Sequence, residues 1–230
     1  MAGYRVMKLI EYPDQDMMMI DVANRLAGEL NNHLVNHDFA SFADPGGTTP
    51  GPIFDVLCAA DLAWDRVQVL LTDERWVPED HERSNTRLIR QRLLVERAAA
   101  ARYLPLFAGG AAPEAKLDEL VARVEEVLPL SILLLGMGAD MHTASLFPYA
   151  EGLEAALDDD APPVAVMRPG GQPEARVTLT GPVLTQAVST HIVITGTEKR
   201  KALERARKIG DPVEAPVSIV LAGATVHWAE

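Results

Sequence analysis

Residues 130–136 read LSILLLG and form the most apolar short run in the chain. Pro129 precedes the run and Gly136 ends it, and its length suits a strand better than a helix. Uninterrupted apolar character predicts a strand buried on both faces, as in the interior of a parallel sheet. The run leads directly into GMGADMHTASLFP at 136–148. The sequence therefore predicts polar groups at the carboxyl end of a buried strand.

On both sides of this run, short apolar segments alternate with longer amphipathic ones. The segments predicted as strands or extended pieces are 4–12, 37–43, 67–72, 103–107, 130–136, 176–180, 191–195 and 224–229, the last as an edge strand. The predicted helices are 16–34, 50–60, one from about 84, 113–127 and 197–208. The acidic, Pro- and Gly-rich region 149–173 is predicted to be a long surface excursion. This alternation predicts a single α/β domain over residues 1–230 with a mostly parallel sheet.

Composition excludes several classes of protein and site. The 230 residues are enough for a sizeable core, and the single cysteine, Cys58, excludes an internal disulfide and thiolate-rich metal or iron–sulfur sites. A formal charge of −12, from 21 Lys+Arg against 33 Asp+Glu, disfavours nucleic-acid binding. No apolar run approaches the roughly 18 residues of a membrane span. The amino-terminal residues lack the apolar core of a signal peptide, so we expect a cytoplasmic protein.

The first candidate ligand loop is Gly46-Gly47-Thr48-Thr49-Pro50, which follows the second predicted strand. Two glycines permit positive φ angles and close approach of a ligand to the backbone. Threonine hydroxyls and free N–H groups at a helix start can hold a phosphate. A plain tight turn into a helix is the alternative interpretation.

The second candidate loop is Asp73-Glu74-Arg75, directly after the strand at 67–72. Ionisable groups at a strand end are costly to bury without partners, so we expect them near solvent or a ligand. Arg75 can bind a phosphate through two hydrogen bonds. The alternative is a solvated loop with internal ion pairs.

The third candidate loop presents Asp140 and His142 after the buried strand. Histidine titrates near neutral pH, which suits a general base, and a carboxylate two residues away can orient its ring. The alternative is a loop histidine with a structural hydrogen bond. Neither an H-E-x-x-H pair nor a G-x-S-x-G elbow is present in the sequence.

Five segments, in this order, resemble the 6-phosphogluconolactonase family of the pentose phosphate pathway. They are GGTTP at 46–50, TDERWVPEDHERSN at 72–85, GMGADMHTASLFP at 136–148, RVTLTGPVL at 176–184 and ITGTEKRKAL at 194–203. The third is the most specific, and the resemblance covers nearly the whole chain.

The resemblance implies a three-layer sandwich with a mostly parallel, Rossmann-like central sheet, shared with glucosamine-6-phosphate deaminases and sugar-phosphate isomerases. It also implies hydrolysis of 6-phospho-D-glucono-1,5-lactone to 6-phosphogluconate. This reaction requires no metal or cofactor, and we expect a monomer or weak homodimer. In that family's terms His142 is the catalytic base and Asp140 the acidic residue beside it. The implied substrate contacts are Gly46, Gly47, Thr48, Asp73, Arg75 and Lys199, with Arg168 and Arg176 as further anion contacts.

Two positions depart from the family pattern. Met141 stands where the family has a glycine, and a positive φ there would strain methionine by roughly 1–2 kcal/mol. We therefore expect the turn to adopt a φ that methionine tolerates, or the loop geometry to shift slightly. Asp44-Pro45 replaces the small residues that usually precede the glycines, and Pro45 stiffens the entry to the loop.

Two other functions are kept as alternatives. An amino-sugar-phosphate deaminase or isomerase on the same fold needs more acid–base groups. In the deaminase family, the segment that follows the histidine looks like I-A-F-N-E-P. Here TASLFP at 143–148 has no matching carboxylate, which favours the lactonase. A non-catalytic sugar-phosphate sensor would need Gly46, Gly47, Arg75 and Lys199 but no base, so the Asp140 and His142 pair argues against it.

Overall fold

A computed structural model describes residues 6–230, and its centre is a seven-stranded sheet in the order β1-β10-β9-β6-β2-β3-β5. Every neighbouring pair in this sheet is parallel. The strands are β1 (Lys8–Glu11), β2 (Ala40–Asp44), β3 (Val67–Leu71), β5 (Arg102–Leu104), β6 (Ile132–Gly136), β9 (Ser189–Thr195) and β10 (Thr225–Ala229).

The apolar run at 130–136 lies at the middle of this sheet. It forms β6, which pairs with β2 on one side and β9 on the other. The four residues from Ile132 to Leu135 are almost completely inaccessible. The prediction of a strand buried on both faces in a parallel sheet is therefore confirmed.

Helices flank the sheet and complete the α/β fold. They are α1 (Gln15–Asn36), α2 (Gly51–Leu57), α3 (Asn85–Arg92), α4 (Leu117–Glu125), α5 (Leu153–Leu157), α6 (Gly181–Thr185), α7 (Gly196–Ile209) and α8 (Ser218–Leu221). The start of α1 is capped by Asp14, whose carboxylate accepts the Met17 N–H at 2.8 Å, and Ser84 caps α3 in the same way. α1 packs on α2 and on β10, and α7 packs on β9, β10 and α8. Among residues 6–230, no helix has both the length and the apolar character that crossing a membrane requires.

A second, antiparallel sheet was not predicted. Its three strands are β4 (Asp73–Arg75), β7 (Val164–Met167) and β8 (Arg176–Leu179), in the order β4-β8-β7. The charged stretch after Thr72 thus begins as a strand rather than as a loop. The region 149–173 contains α5 and β7, with Val164 and Met167 fully buried, so its prediction as a surface excursion was wrong for these elements. Charged residues hid β4, and short apolar segments between prolines hid β7.

The carboxyl-terminal strand was also misplaced. β10 lies between β1 and β9, so the edge on this side is β1. Its Val226 and His227 are fully buried, as expected of an interior strand. The first predicted strand began at residue 4, and residues 4 and 5 lie outside the described residues. The short helices α6 and α8 were not predicted, because four or five residues are too few for a clear helical period.

Candidate active site

The loops that follow β2 and β6, together with Val193 of β9 and Lys199 of α7, line a cavity of about 320 Å³. Because these three strands are neighbours in a parallel sheet, their carboxyl ends meet at one edge. The ends of β4 and β8 complete the wall. This volume is in the range of small-molecule sites.

The glycine-rich loop forms one side of the cavity. Gly47 has a φ of +84°, a conformation that favours glycine. At Gly46 an added Cβ would lie 2.0 Å from the Asn85 side chain, so only glycine fits there. Within residues 6–230 the N–H groups of Gly46, Gly47 and Thr48 have no protein acceptor. The loop is therefore suited to receive an anion through its backbone.

Asp44 ends β2 immediately before this loop. Its carboxyl group is completely buried, and neither oxygen has a hydrogen-bond partner within the described residues. Burial raises the pKa of Asp44 well above its usual value. A raised pKa favours the neutral form of this carboxyl group, and the neutral form opposes an anion at the adjacent loop less than a carboxylate would.

Two arginines that pair across the second sheet also line the cavity. Arg75 of β4 and Arg176 of β8 are directly paired in the antiparallel sheet and both line the cavity. Each has a buried Nε without a partner in the part of the chain that the structure describes. Like charges opposite each other are unfavourable in a sheet, so this pair is suited to an anion placed between or beside them. Burial lowers the pKa of Arg176, although a guanidinium remains protonated in proteins.

Asp73 places a carboxylate beside Arg176. The Ser145 hydroxyl donates to Asp73 Oδ2 at 2.6 Å, and Arg176 Nη1 lies 3.6 Å from the same oxygen. Asp73 itself is 6% exposed and lines the cavity. It therefore anchors Arg176 and links the arginine wall to the loop that carries His142.

Glu74 joins β4, which carries Arg75, to the start of α3. Its fully buried carboxylate accepts five hydrogen bonds, from the N–H groups of Arg75, Asn85 and Thr86 and from the hydroxyls of Ser84 and Thr86. The expectation that this group stays near solvent or a ligand was wrong, because the start of α3 supplies donors enough to bury it. Burial still raises the pKa of Glu74, and these hydrogen bonds oppose the rise.

His142 lines the same cavity and is bonded to Asp140. Its Nδ1 lies 2.6 Å from Asp140 Oδ1, and its N–H donates to the same oxygen at 3.2 Å. The bond to His142 lowers the pKa of Asp140. The ring stacks on Phe147 with 4.3 Å between centroids. Nε2 is then the ring nitrogen left for chemistry in the cavity.

Met141 adopts the conformation that the sequence led us not to expect. Its φ is +72°, so the prediction of a tolerated φ was wrong. The turn is tied by the Met141 N–H to the Gly138 carbonyl at 3.0 Å and by the Val217 N–H to the Met141 carbonyl at 3.1 Å. The side chain is 9% exposed and belongs to the core. Burial of a methionine contributes roughly 1.5–3 kcal/mol, which offsets a backbone strain of about 1–2 kcal/mol.

Most of the residues proposed from sequence meet at this cavity. Those in its wall are Gly46, Gly47, Thr48, Asp73, Arg75, His142, Arg176 and Lys199. Asp140 contributes through its bond to His142. Arg168 lies apart, because it is exposed and paired with Glu114 at 2.5 Å.

Asn85, which follows the second candidate loop in sequence and was assigned no role there, is also part of the cavity wall. Its side-chain amide donates to the Asp73 carbonyl at 2.9 Å and abuts Gly46. The serine cap at the start of α3 was the available signal for its position. No group of three His, Cys, Asp or Glu side chains within residues 6–230 is arranged to hold a metal ion.

Comparison with known proteins identifies similar chains over nearly the full length. A family model described as "Glucosamine-6-phosphate isomerases/6-phosphogluconolactonase" matches residues 13–228. The chain is 38% identical over 215 residues to a 6-phosphogluconolactonase of Rhizobium meliloti, covering 91% of both chains. It is 34% identical to one of Caulobacter vibrioides, covering 97% of both.

Solved structures agree in fold. A 6-phosphogluconolactonase from Shewanella baltica superposes with a TM-score of 0.94 at 28% identity, covering 99% of this chain and all of that one. A structure described as a monomeric glucosamine-6-phosphate deaminase superposes with a TM-score of 0.81 at 16% identity, covering 97% of this chain and 98% of that one. The second likeness concerns the fold alone.

Proposed function

Because the chain belongs to the family of glucosamine-6-phosphate isomerases and 6-phosphogluconolactonases, we propose that it hydrolyses 6-phospho-D-glucono-1,5-lactone to 6-phospho-D-gluconate in the oxidative branch of the pentose phosphate pathway. The observation that carries the proposal is the His142–Asp140 pair at a cavity that also holds Arg75, Arg176 and Lys199. A base and several cations in one small cavity suit a neutral carbonyl attached to an anionic group.

In this mechanism His142 is the general base. Its Nε2 takes a proton from a water molecule near the lactone carbonyl, and the oxygen of that water attacks C1. The resulting oxyanion is stabilised by N–H groups or a cation of the cavity. The C1–ring oxygen bond then breaks, and the ring oxygen takes the proton from the imidazolium. Asp140 keeps a proton on Nδ1 and so leaves Nε2 free to accept one.

The phosphate acts as a handle and is not transformed. The free N–H groups of the 46–48 loop, together with Arg75 and Lys199, are suited to hold it, and Arg176 offers a further cation. Its binding energy positions C1 beside the base, so distant contacts serve the chemical step. These local cations also overcome the repulsion expected from a net charge of −12.

We further propose that residues 1–230 act as a single domain, in the cytoplasm, as a monomer or weak homodimer. The lone cysteine suits a reducing compartment. The phosphorylated lactone is the proposed small-molecule partner, and neither a cofactor nor a nucleic acid is part of the scheme.

The deaminase alternative lacks support at the site. The segment at 143–148 brings only Thr143, Ser145 and apolar groups after the histidine, with no carboxylate for proton transfer at C2. The sensor alternative does not account for the His142–Asp140 pair. Neither therefore replaces the lactonase.

Freshly generated 6-phosphogluconolactone provides the direct test. The protein should release acid from it well above the spontaneous rate, and it should release no ammonia from glucosamine-6-phosphate. Ammonia release would favour the deaminase. Tight lactone binding at the spontaneous hydrolysis rate would favour the sensor.

A further inference from the structure

The imidazole of His142 is confined by more than its bond to Asp140. Phe147 lies against its face, with ring centroids 4.3 Å apart and planes inclined by 23°. Gly138 lies close to its edge, because a Cβ built there would be 2.2 Å from Nδ1 and 2.4 Å from Cε1 of the ring. A single hydrogen bond at Nδ1 leaves the ring free to rotate about that bond. The two further contacts remove this freedom.

The chain between the histidine and the phenylalanine is itself rigid. The Leu146 N–H donates to the Thr143 carbonyl at 3.0 Å and closes a tight turn. Leu146 is fully buried, and the hydroxyl of Ser145 is bonded to Asp73 at 2.6 Å. The turn therefore returns the chain so that Phe147 meets the ring of His142.

Phe147 also contacts Arg176, one of the two arginines that line the cavity. The Arg176 guanidinium carbon lies 5.8 Å from the centroid of its ring, within the range of a cation–π contact. One aromatic ring thus touches both the proposed base and a cation of the cavity.

We propose that Gly138 and Phe147 are positioning residues that fix the plane of the His142 imidazole and direct Nε2 at the substrate carbonyl. Gly138 provides the space in which the ring lies, and Phe147 provides the surface on which it rests. The inference rests on the proposed function, because the ring plane affects turnover only if His142 is the base. A displacement of about 1 Å in such a group can reduce the rate about 10²-fold.

The first test is Gly138→Ala. Gly138 does not have a positive φ, so alanine is compatible with its backbone, and the new Cβ, which would also lie 2.3 Å from Asp140 Oδ1, must displace the His142 ring together with the carboxylate bonded to it. We expect kcat to fall by about 100-fold with KM within about threefold of wild type. The matched control is Gly28→Ala in α1, where a Cβ meets nothing within 4 Å, and it should keep wild-type kinetics.

The second test compares Phe147→Leu with Phe147→Tyr. Leucine removes the flat surface, so we expect kcat to fall by about 10-fold with KM nearly unchanged. Tyrosine keeps the ring, and kcat should stay within about threefold of wild type. Because a loss of folded protein would also lower the apparent kcat at an unchanged KM, kcat is expressed per folded enzyme, with the folded fraction measured by circular dichroism.

A double-mutant cycle with His142→Asn separates this inference from its premise. If Phe147 acts through the imidazole, Phe147→Leu should cost nothing further in the His142→Asn background. Equal losses in both backgrounds would overturn the positioning role. Wild-type kcat in His142→Asn would instead overturn the base itself. A His142→Asn protein without activity, beside Gly138→Ala and Phe147→Leu proteins with full activity, would overturn the positioning role alone.

Discussion

Lys199 reaches the cavity from the first turn of α7, whereas Lys201 on the same helix is exposed to solvent. If the phosphate is a handle, removal of the Lys199 ammonium weakens binding of substrate and transition state together. We expect Lys199→Ala to raise KM by about 10-fold with a small change in kcat, since a hydrogen bond to a charged group contributes about 1.5–3 kcal/mol. Steady-state kinetics on the phosphorylated lactone measure this, and Lys201→Ala is the control. An unchanged KM for Lys199→Ala would remove that residue from the handle.

Burial of Asp44 is expected to make the free energy of unfolding depend on pH. Its pKa is raised in the folded protein, so the folded state retains a proton that the unfolded state loses above about pH 4. The contribution of this proton to the free energy of unfolding is fully present below the pKa of Asp44 in the unfolded chain. It is lost as the pH rises toward the pKa of Asp44 in the folded protein. Asp44→Asn removes this titration, because the unfolded wild-type chain is stabilised by ionising above about pH 4 and the amide is not. The variant should therefore have the higher free energy of unfolding at pH 7.5, by about 1.4 kcal/mol for each pH unit between the unfolded pKa and the raised folded pKa.

Urea denaturation of wild type and Asp44→Asn at about pH 7.5 and pH 3.5 tests this, because the difference should shrink at the lower pH. A variant less stable than wild type at pH 7.5 would show that the carboxylate is ionised and paired.

Residue by residue, the sequence was most informative where a side chain has few structural uses. His142 beside Asp140 after a buried strand was recognisable, and so was Arg75 at the end of another. Contacts made through space were not: Asn85 lies in the wall because Gly46 leaves room for it. Met141 was misjudged because its burial, which offsets its backbone strain, depends on neighbours distant in sequence.

At the scale of elements, Glu74 connects β4 to the start of α3. Five donors from these two elements converge on its carboxylate, and two of them are N–H groups of the first helical turn. Glu74→Gln replaces one acceptor by a donor that must face other donors. We expect a loss of about 1–3 kcal/mol in the free energy of unfolding and a raised KM, since Asn85 and Arg75 shift with the helix start.

Urea denaturation and kinetics measure the two effects of Glu74→Gln. The exposed Glu82 in the same stretch provides the control, and Glu82→Gln should change stability by less than about 0.5 kcal/mol. Equal stability of Glu74→Gln and wild type would contradict the role of this carboxylate as the anchor of α3.

Elements whose own residues carry a clear period were predicted well, and those defined by their partners were not. α1 shows an apolar stripe over six turns, and β6 is uninterrupted apolar sequence. By contrast, β4 is the tripeptide Asp-Glu-Arg, which becomes a strand only because β8 lies beside it. The interior position of β10 likewise follows from its pairing with β1, which no local pattern records.

At the scale of the whole molecule, a chain of hydrogen bonds joins the amino-terminal and carboxyl-terminal parts of the fold. The Tyr12 hydroxyl donates to Asp21 of α1 at 2.6 Å and lies 2.8 Å from Nδ1 of His227 on β10. His227 Nε2 is 3.0 Å from Nδ1 of His191 on β9, and His191 Nε2 is 3.1 Å from Glu29 of α1. The helix is thus fastened to two adjacent strands through buried polar groups.

This chain makes stability depend on pH through His227. Burial lowers the pKa of His227 to about 3, with a smaller contribution from His191. The unfolded chain gains a proton at this histidine as pH falls through about 6.5, while the folded protein stays neutral there until about pH 3. The contribution of neutral His227 to the free energy of unfolding is therefore fully present above about pH 6.5 and is lost as the pH falls from about 6.5 to about 3. The loss reaches up to about 4–5 kcal/mol, at about 1.4 kcal/mol per pH unit.

His227→Gln should remove this dependence, because glutamine keeps polar atoms in the chain but does not titrate. We expect the free energy of unfolding, measured by urea denaturation between about pH 7 and pH 4, to fall less steeply with pH in the variant. The difference in slope should approach about 1.4 kcal/mol per pH unit, the value for uptake of one proton on unfolding. His81→Gln, at an exposed histidine, should keep the wild-type slope. Parallel curves for wild type and His227→Gln would mean that His227 is protonated in the folded protein. The acid sensitivity of the fold would then have to arise at its carboxylates instead.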